Sequence, residues 1–195
     1  IMILLAGTSP IDSSALITDM PVDLFIIITP AKLYSSKSYE KGISLGLFEY
    51  ERPDGELKTP FTYFGGLKAQ NAVVRGTNYD EALYTSDNMV LEGTTFSFFC
   101  IMDDGTILTS PADGRILRSV TRLVLLDILK NQQLSIEESD LSIDKVLKCK
   151  EAFIASANRD VIPVVSIQGN LIGDGLVGDN TKFIMSLYQD TLNSI

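Results

Sequence analysis

The stretch that decides the fold runs from Tyr79-Asp80-Glu81-Ala82-Leu83, through Leu91-Glu92-Gly93-Thr94, to Leu117-Arg118-Ser119-Val120-Thr121-Arg122. Glu92 stands beside a glycine inside sequence of strand character. A hairpin is expected from Phe96 to Thr109, because Asp104-Gly105 supplies residues that tolerate positive φ. A Ser/Thr-containing turn then opens a helix from Ser119 to Lys130, which carries Val120, Leu123, Val124, Leu125 and Ile128 on or near one face.

Working outward, Ile1 to Leu5 and Val22 to Thr29 read as two buried strands, the second stopped by Pro30. Residues 31–41 are polar and read as linker. Ile43, Leu45 and Leu47 alternate as a strand would. Glu51-Arg52-Pro53-Asp54-Gly55 is a turn, since proline presets φ and Asp-Gly tolerates the left-handed region. Pro60 opens a helix from Phe61 to Arg75, with Tyr63, Phe64, Leu67 and Val74 near helical spacing. Further strands are expected at Glu81–Thr85, Met89–Glu92, Thr95–Met102, Thr106–Thr109, Phe153–Ser156 and Val161–Ile167. A short helix is expected from Ser142 to Lys150, a turn at Gln168-Gly169-Asn170, and a last helix capped by Asp179 or Asn180. Strands outnumber helices and connect mostly through short turns. The fold class is therefore α+β, with a mixed barrel-like sheet in the main domain.

The 195 residues carry a formal net charge of −9, which argues against a nucleic-acid partner. The longest apolar segment, around Leu24 to Ile28, is too short for a bilayer, so no membrane partner is expected. There is no basic leader with a cleavage site. Cys100 and Cys149 read as buried free thiols, and the protein is placed in the cytoplasm. The chain has no histidine, so Ser-His-Asp and Cys-His systems and the common histidine-bearing zinc sites are excluded within it. Proton transfer would fall to Lys, Asp, Glu, Tyr or Cys.

The ordered set Lys58…Tyr63, Glu92-Gly93-Thr94-Thr95, Ser119-Val120-Thr121-Arg122, Ala155-Ser156-Ala157-Asn158 with Ile162-Pro163-Val164, and the tail Ile172-Gly173-Asp174-Gly175 resembles the large domain of the fold-type IV (class IV) pyridoxal-phosphate enzymes. These include branched-chain aminotransferases, D-amino acid aminotransferases and aminodeoxychorismate lyases. The resemblance implies pyridoxal 5'-phosphate as cofactor, held as a Schiff base to Lys58, the catalytic lysine. Lys68 lies inside the expected helix and does not match the pattern. Tyr63 would lie near the cofactor's phenolic oxygen, and Glu92 would keep the pyridine nitrogen protonated. Ser119, Val120 and Thr121 would take the phosphate at a helix start, with a second contact from Ser156, Ala157 and Asn158.

There are departures from the pattern. Thr62 stands where relatives often have asparagine before the tyrosine, and Ser97 replaces another usual asparagine. Leu5-Ala6-Gly7-Thr8-Ser9-Pro10 matches the strand and turn that close the small N-terminal domain, but Ala6 stands where relatives often carry arginine. Ile11 and Ser13 occupy the positions where D-amino acid aminotransferases trap the substrate carboxylate with Arg and His. On the resemblance, residues 1–29 are remnant strands of a small domain mostly absent from the sequence, and residues 30–195 are the large cofactor domain. The implied reaction moves an amino group between an amino acid and a 2-oxo acid, in a homodimer. The alternatives are an aminodeoxychorismate lyase-like activity and a non-catalytic homologue.

Overall fold

The computed structural model describes residues 2–7, 22–30, 34–59 and 61–194. The chain divides into two compact units, Ile1–Lys32 and Leu33–Ile195. In the first, β1 (Met2–Gly7) pairs antiparallel with β2 (Val22–Ile27). Leu24, Phe25, Ile26 and Ile28 are exposed, contrary to the expectation of a buried strand. A two-stranded ribbon has no second layer of its own to cover its apolar faces. The expected turn at Thr8-Ser9-Pro10 and the positions Ile11 and Ser13 lie outside the described residues.

The second unit is built on a ten-stranded mixed sheet. Its strands are β3 (Ile43–Glu49), β4 (Glu81–Ser86), β5 (Met89–Gly93), β6 (Ser97–Ile101), β7 (Ile107–Thr109), β8 (Ile136–Glu138), β9 (Leu141–Ser142), β10 (Glu151–Ser156), β11 (Asp160–Ile167) and β12 (Asn170–Leu171). The spatial order is β8-β7-β6-β10-β11-β3-β4-β5-β9, with β12 on β11. β3 runs parallel to both β4 and β11 at the centre, and β7–β8 is parallel at one edge. The other pairs are antiparallel. The α+β class with a mixed sheet is thus observed.

The strands read as continuous apolar runs because both faces of the sheet are buried. Along β6, Phe98 and Cys100 enter one core with Ala152 and Ile154 of β10. Phe99 and Ile101 enter another with Phe153 and Ala155, covered by α3 (Val120–Asn131) and α5 (Asp179–Asn193). Phe99 and Phe153 stack with ring centroids 4.8 Å apart. A third core lies where the helical segment before β4 meets β3 and β4. Cys100 and Cys149 are buried free thiols, and their mutual hydrogen bond with burial pushes the Cys149 thiol up.

Three local expectations change, and one strand was not expected. Residues 36–41, read as linker, form α1 (Ser36–Lys41), a single polar turn too short to show amphipathic periodicity. The expected helix from Phe61 to Arg75 changes pitch: a 3-10 turn (Phe61–Tyr63), α2 (Phe64–Ala69), then a π-helical turn (Gln70–Val74). The helix expected over 142–150 is only α4 (Ile143–Val146). Strand β8 is mostly polar and became a strand through pairing with β7, so no alternation announced it.

The last helix is not capped by its own side chains. Gly178 precedes it, and the buried Glu151 carboxylate of β10 receives the N–H of Asn180 at 3.3 Å, the N–H and hydroxyl of Thr181 at 2.7 Å each, and the Asn180 amide at 2.9 Å. A Cβ on Gly178 would fall 2.0 Å from the Glu151 carboxyl carbon, which is why glycine stands there. Glu151→Ala removes a charged cap and leaves the buried Thr181 N–H and hydroxyl without their acceptor. A loss of about 2 kcal/mol in urea unfolding is expected; a loss under about 0.5 kcal/mol, the scale of an exposed position, would show the cap to be dispensable.

Candidate active site

Glu92 lies on β5 and is 4 % exposed. The glycine after it gives room for the Phe96 ring, which sits 2.0 Å from where a Cβ on Gly93 would be. The chain therefore turns back on itself directly behind the carboxylate. One carboxylate oxygen receives Arg52 Nε at 2.9 Å and the other the Leu117 N–H at 3.2 Å. Arg52 is itself 4 % exposed and also donates to the carbonyls of Thr62 (3.0 Å), Gly93 (3.4 Å) and Thr94 (3.3 Å). Its guanidinium carbon lies 4.8 Å from the centroid of the Tyr63 ring. Arg52 thus joins the segment that carries Lys58 and Tyr63 to the strand that carries Glu92, across 40 residues of sequence.

Thr62 has a structural use that its mismatch to the family pattern hid. Its hydroxyl lies 3.0 Å from the Leu57 carbonyl and 2.8 Å from the Thr59 carbonyl, bracketing Lys58, while Arg52 holds its own carbonyl. Lys58 is exposed and makes no hydrogen bond or ion pair among the described residues. Lys68 is also exposed, on α2, with its amine 5.2 Å from the Phe64 ring. Tyr63 is half-buried, and burial raises its phenol's pKa despite the nearby Arg52 charge.

The Leu117 amide that binds Glu92 lies just ahead of Ser119. Ser119 sits at φ 33° and caps α3, its hydroxyl accepting the Arg122 N–H at 3.4 Å. Val120 is 78 % exposed and Thr121 is buried. Arg122 is buried and donates to the Ser110 carbonyl and to Glu138, both at 2.7 Å, anchoring the helix start to the β7–β8 edge and holding the Glu138 carboxyl below its ordinary range. Ser156 is buried at the end of β10, with its hydroxyl 3.1 Å from the Asn158 side-chain oxygen; Ala157 and Asn158 are exposed in the turn to β11. The Ser97 hydroxyl is buried with no hydrogen-bond partner among the described residues.

Sequence reasoning passed over the residues that tie these parts together. Thr94 gives its carbonyl to Arg52 and its hydroxyl to Glu81 at 3.3 Å. Glu81, at the start of β4, also pairs with Arg159 at 2.9 Å. A cavity of about 450 Å³ is lined by Tyr63, Phe64, Gly66, Leu67, Gln70, Thr94, Thr95 and Arg159. Arg52 and Arg159 each stand in a turn, where a charge ordinarily means solvent. Only their partners, far away in sequence, reveal their burial.

Burial raises the Glu92 carboxyl pKa to about 7, against the lowering effects of the Arg52 charge, the Leu117 N–H and the Arg52 hydrogen bond. In the unfolded chain the group titrates near 4.5. Between these values the folded protein keeps a proton that the unfolded chain has released. Stability from this group is therefore fully present below about 4.5, falls as pH rises, and is lost above about 7. Glu92→Gln is expected to flatten this part of the pH dependence, read from denaturant midpoints at about pH 5 and pH 8 on cofactor-free protein. An unchanged slope would show that Glu92 is not the group responsible.

Solved structures share this architecture. A branched-chain aminotransferase from Thermoproteus uzoniensis superposes with a TM-score of 0.83 at 21 % identity, covering 96 % of this chain and 62 % of that one. A branched-chain amino acid aminotransferase from Thermobaculum terrenum gives 0.81 at 21 % identity, covering 97 % and 62 %. At such identities the likeness is one of fold. In sequence, the chain is 34 % identical over 114 residues to a D-alanine aminotransferase of Bacillus licheniformis, covering 58 % of this chain and 40 % of that protein. It is 25 % identical over 177 residues to the D-alanine aminotransferase of Staphylococcus aureus strain N315, covering 86 % and 61 %. The chain thus spans about half the length of these two relatives. The sequence profile described as amino-transferase class IV matches residues 6–167, from the end of β1 through the last residue of β11, and by that match the chain belongs to the class IV aminotransferase family.

Proposed function

We propose that this chain is the cofactor-binding part of a pyridoxal-phosphate aminotransferase, moving an amino group between an amino acid and a 2-oxo acid. The observation that carries it is Glu92. A carboxylate offers about four lone-pair positions; Arg52 and Leu117 occupy two. A buried carboxyl with its pKa near 7 is suited to accept one more cationic N–H. The donor set fits the cofactor: an acidic group for a pyridinium, a helix start for a phosphate and a lysine for an aldehyde. The Thermobaculum terrenum neighbour is a PLP form.

When bound, the cofactor supplies an aldehyde carbon that takes up amino groups and a ring that accommodates the electrons of the broken Cα–H bond. Lys58 Nζ would hold the aldehyde carbon at rest. Its amine would also move the proton between the substrate Cα and the C4′ position. Glu92 would keep the proton on the ring nitrogen. Ser119, the Val120 and Thr121 N–H groups and the Thr121 hydroxyl would bind the phosphate, with Ser156, Ala157 N–H and Asn158 as a second contact. The Tyr63 hydroxyl would lie against the phenolic oxygen, and Thr62 would orient Lys58 by bracketing its backbone. Residues 30–195 would form this domain and 1–29 strands of a smaller one. The names of the relatives make D-alanine and the branched-chain amino acids the first donors to assay.

The test is incubation with pyridoxal phosphate, borohydride reduction and peptide mapping. A pyridoxyl group confined to the Lys58 peptide supports the assignment. Labelling at Lys68 would move the site into α2, and no specific label on folded protein would favour a non-catalytic homologue. We also propose a homodimer and a cytoplasmic location. Exposed Val120 (78 %), Leu67 and Phe64 near the proposed site support self-association, which sedimentation velocity reads directly. Two free buried thiols support a reducing compartment.

A further inference from the structure

The sequence lacks the Arg and His that hold the substrate carboxylate in D-amino acid aminotransferases, having Ile11 and Ser13 at those positions. The structure offers a different cation. Arg159 is the one charged residue among the described residues lining the cavity that Tyr63 borders. Its side chain is 13 % exposed. Nη2 donates to Glu81 at 2.9 Å and Nη1 to the Thr95 hydroxyl at 2.5 Å. A guanidinium has five N–H groups, so three of these have no partner among the described residues.

Its position is fixed from several sides. The guanidinium carbon lies 5.3 Å from the Tyr34 ring centroid and 5.7 Å from that of Phe96. The Arg159 carbonyl accepts the Tyr39 hydroxyl at 3.0 Å. Glu81 is itself saturated: besides Arg159 it receives the hydroxyls of Tyr34 and Thr94 and the amide of Gln70. Its charge is spread over those donors, and it acts as a bracket for Arg159 more than as a full counter-charge. A cation held in this way beside a cavity is pre-organised for a second, planar acceptor.

Resting on the function proposed above, we propose that Arg159 binds the α-carboxylate of the amino acid and of the 2-oxo acid, with Glu81 as its positioning residue. Both substrates carry that group, so one fixed cation serves both halves of the exchange. The phosphate is the other anion the site must hold. It is assigned to the start of α3 with a second contact from Ser156, Ala157 and Asn158, the turn that leads into Arg159, and none of Ser119, Val120, Thr121, Ser156, Ala157 or Asn158 lines this cavity. Tyr63, which does line it, is assigned to the reacting edge of the cofactor.

The experiment uses propionate, a carboxylate with no amino group, titrated calorimetrically into the full protein with and without pyridoxal phosphate. Arg159→Gln and Arg159→Lys are compared with wild type. Arg159→Lys keeps a charge opposite Glu81 and guards against simple unfolding, which denaturant midpoints monitor. Arg159→Gln is expected to weaken propionate binding by about tenfold or more, with Arg159→Lys in between, while borohydride labelling at Lys58 stays at the wild-type level. Propionate affinity unchanged in Arg159→Gln overturns the proposal. So does cofactor affinity lost with propionate binding intact, which would assign Arg159 to the phosphate. Failure of wild type to label at all rejects the aminotransferase function, and Arg159-dependent propionate binding in that case still supports a carboxylate site.

Discussion

Lys58→Ala is expected to abolish covalent cofactor retention and to lower amino-group transfer by about a hundredfold to ten-thousandfold. Under the proposed function the amine would do two jobs that no neighbour could take over. The chain has no histidine, and Lys68, the next lysine along, is exposed on α2 at the Phe64 ring. Because Lys58 is exposed and unpaired among the described residues, its loss should leave the unfolding midpoint within about 0.5 kcal/mol of wild type. The combination is diagnostic. Chemistry lost with stability intact marks a reactive group, and added methylamine should restore part of the transfer rate by supplying an amine. A variant that still retains cofactor after borohydride reduction, with the label elsewhere, would remove Lys58 from the site.

Arg52→Met is expected to carry the largest stability cost, about 3–5 kcal/mol at pH 8. The loss is of the cation that faces Glu92 and of the donor to three backbone carbonyls. Arg52 is also the first of the influences that lower the Glu92 pKa, so its removal pushes that carboxyl higher still. Near pH 5 Glu92 is already protonated in the folded protein, and the cost there should shrink toward the share due to the carbonyls. Arg52→Met combined with Glu92→Gln should recover part of the loss, giving a favourable coupling energy in a double-mutant cycle. A single-variant cost under about 1 kcal/mol, or strict additivity, would show that the pair is incidental to the fold.

Glu92 itself was legible because its context is local. A glycine beside it, strand sequence before it and a hairpin after it all lie within a few residues. The same holds for the hairpin at Asp104-Gly105, where Gly105 takes φ 84°, and for Ser119 as the cap of α3. These features follow from what a residue and its immediate neighbours can sterically adopt.

The partners of Glu92 were not legible. Arg52 is 40 residues away and Leu117 is 25, and neither lies in a pattern that marks burial. Arg159 drew no reading from the sequence; its partner Glu81 is 78 residues away along the chain and 2.9 Å away in space. Glu151 lies two residues ahead of the expected strand Phe153–Ser156 with nothing local to mark it, yet it caps a helix 30 residues later. Strand β8 exists only because β7 offers it an edge. The sequence by itself determined which segments extend or coil, where the chain turns, and which chemistries a histidine-free chain can support, because steric preference and covalent composition are local. The tertiary structure alone decided which charges are buried against which, since a desolvated ion pair is specified by two distant segments meeting and by nothing in either of them alone.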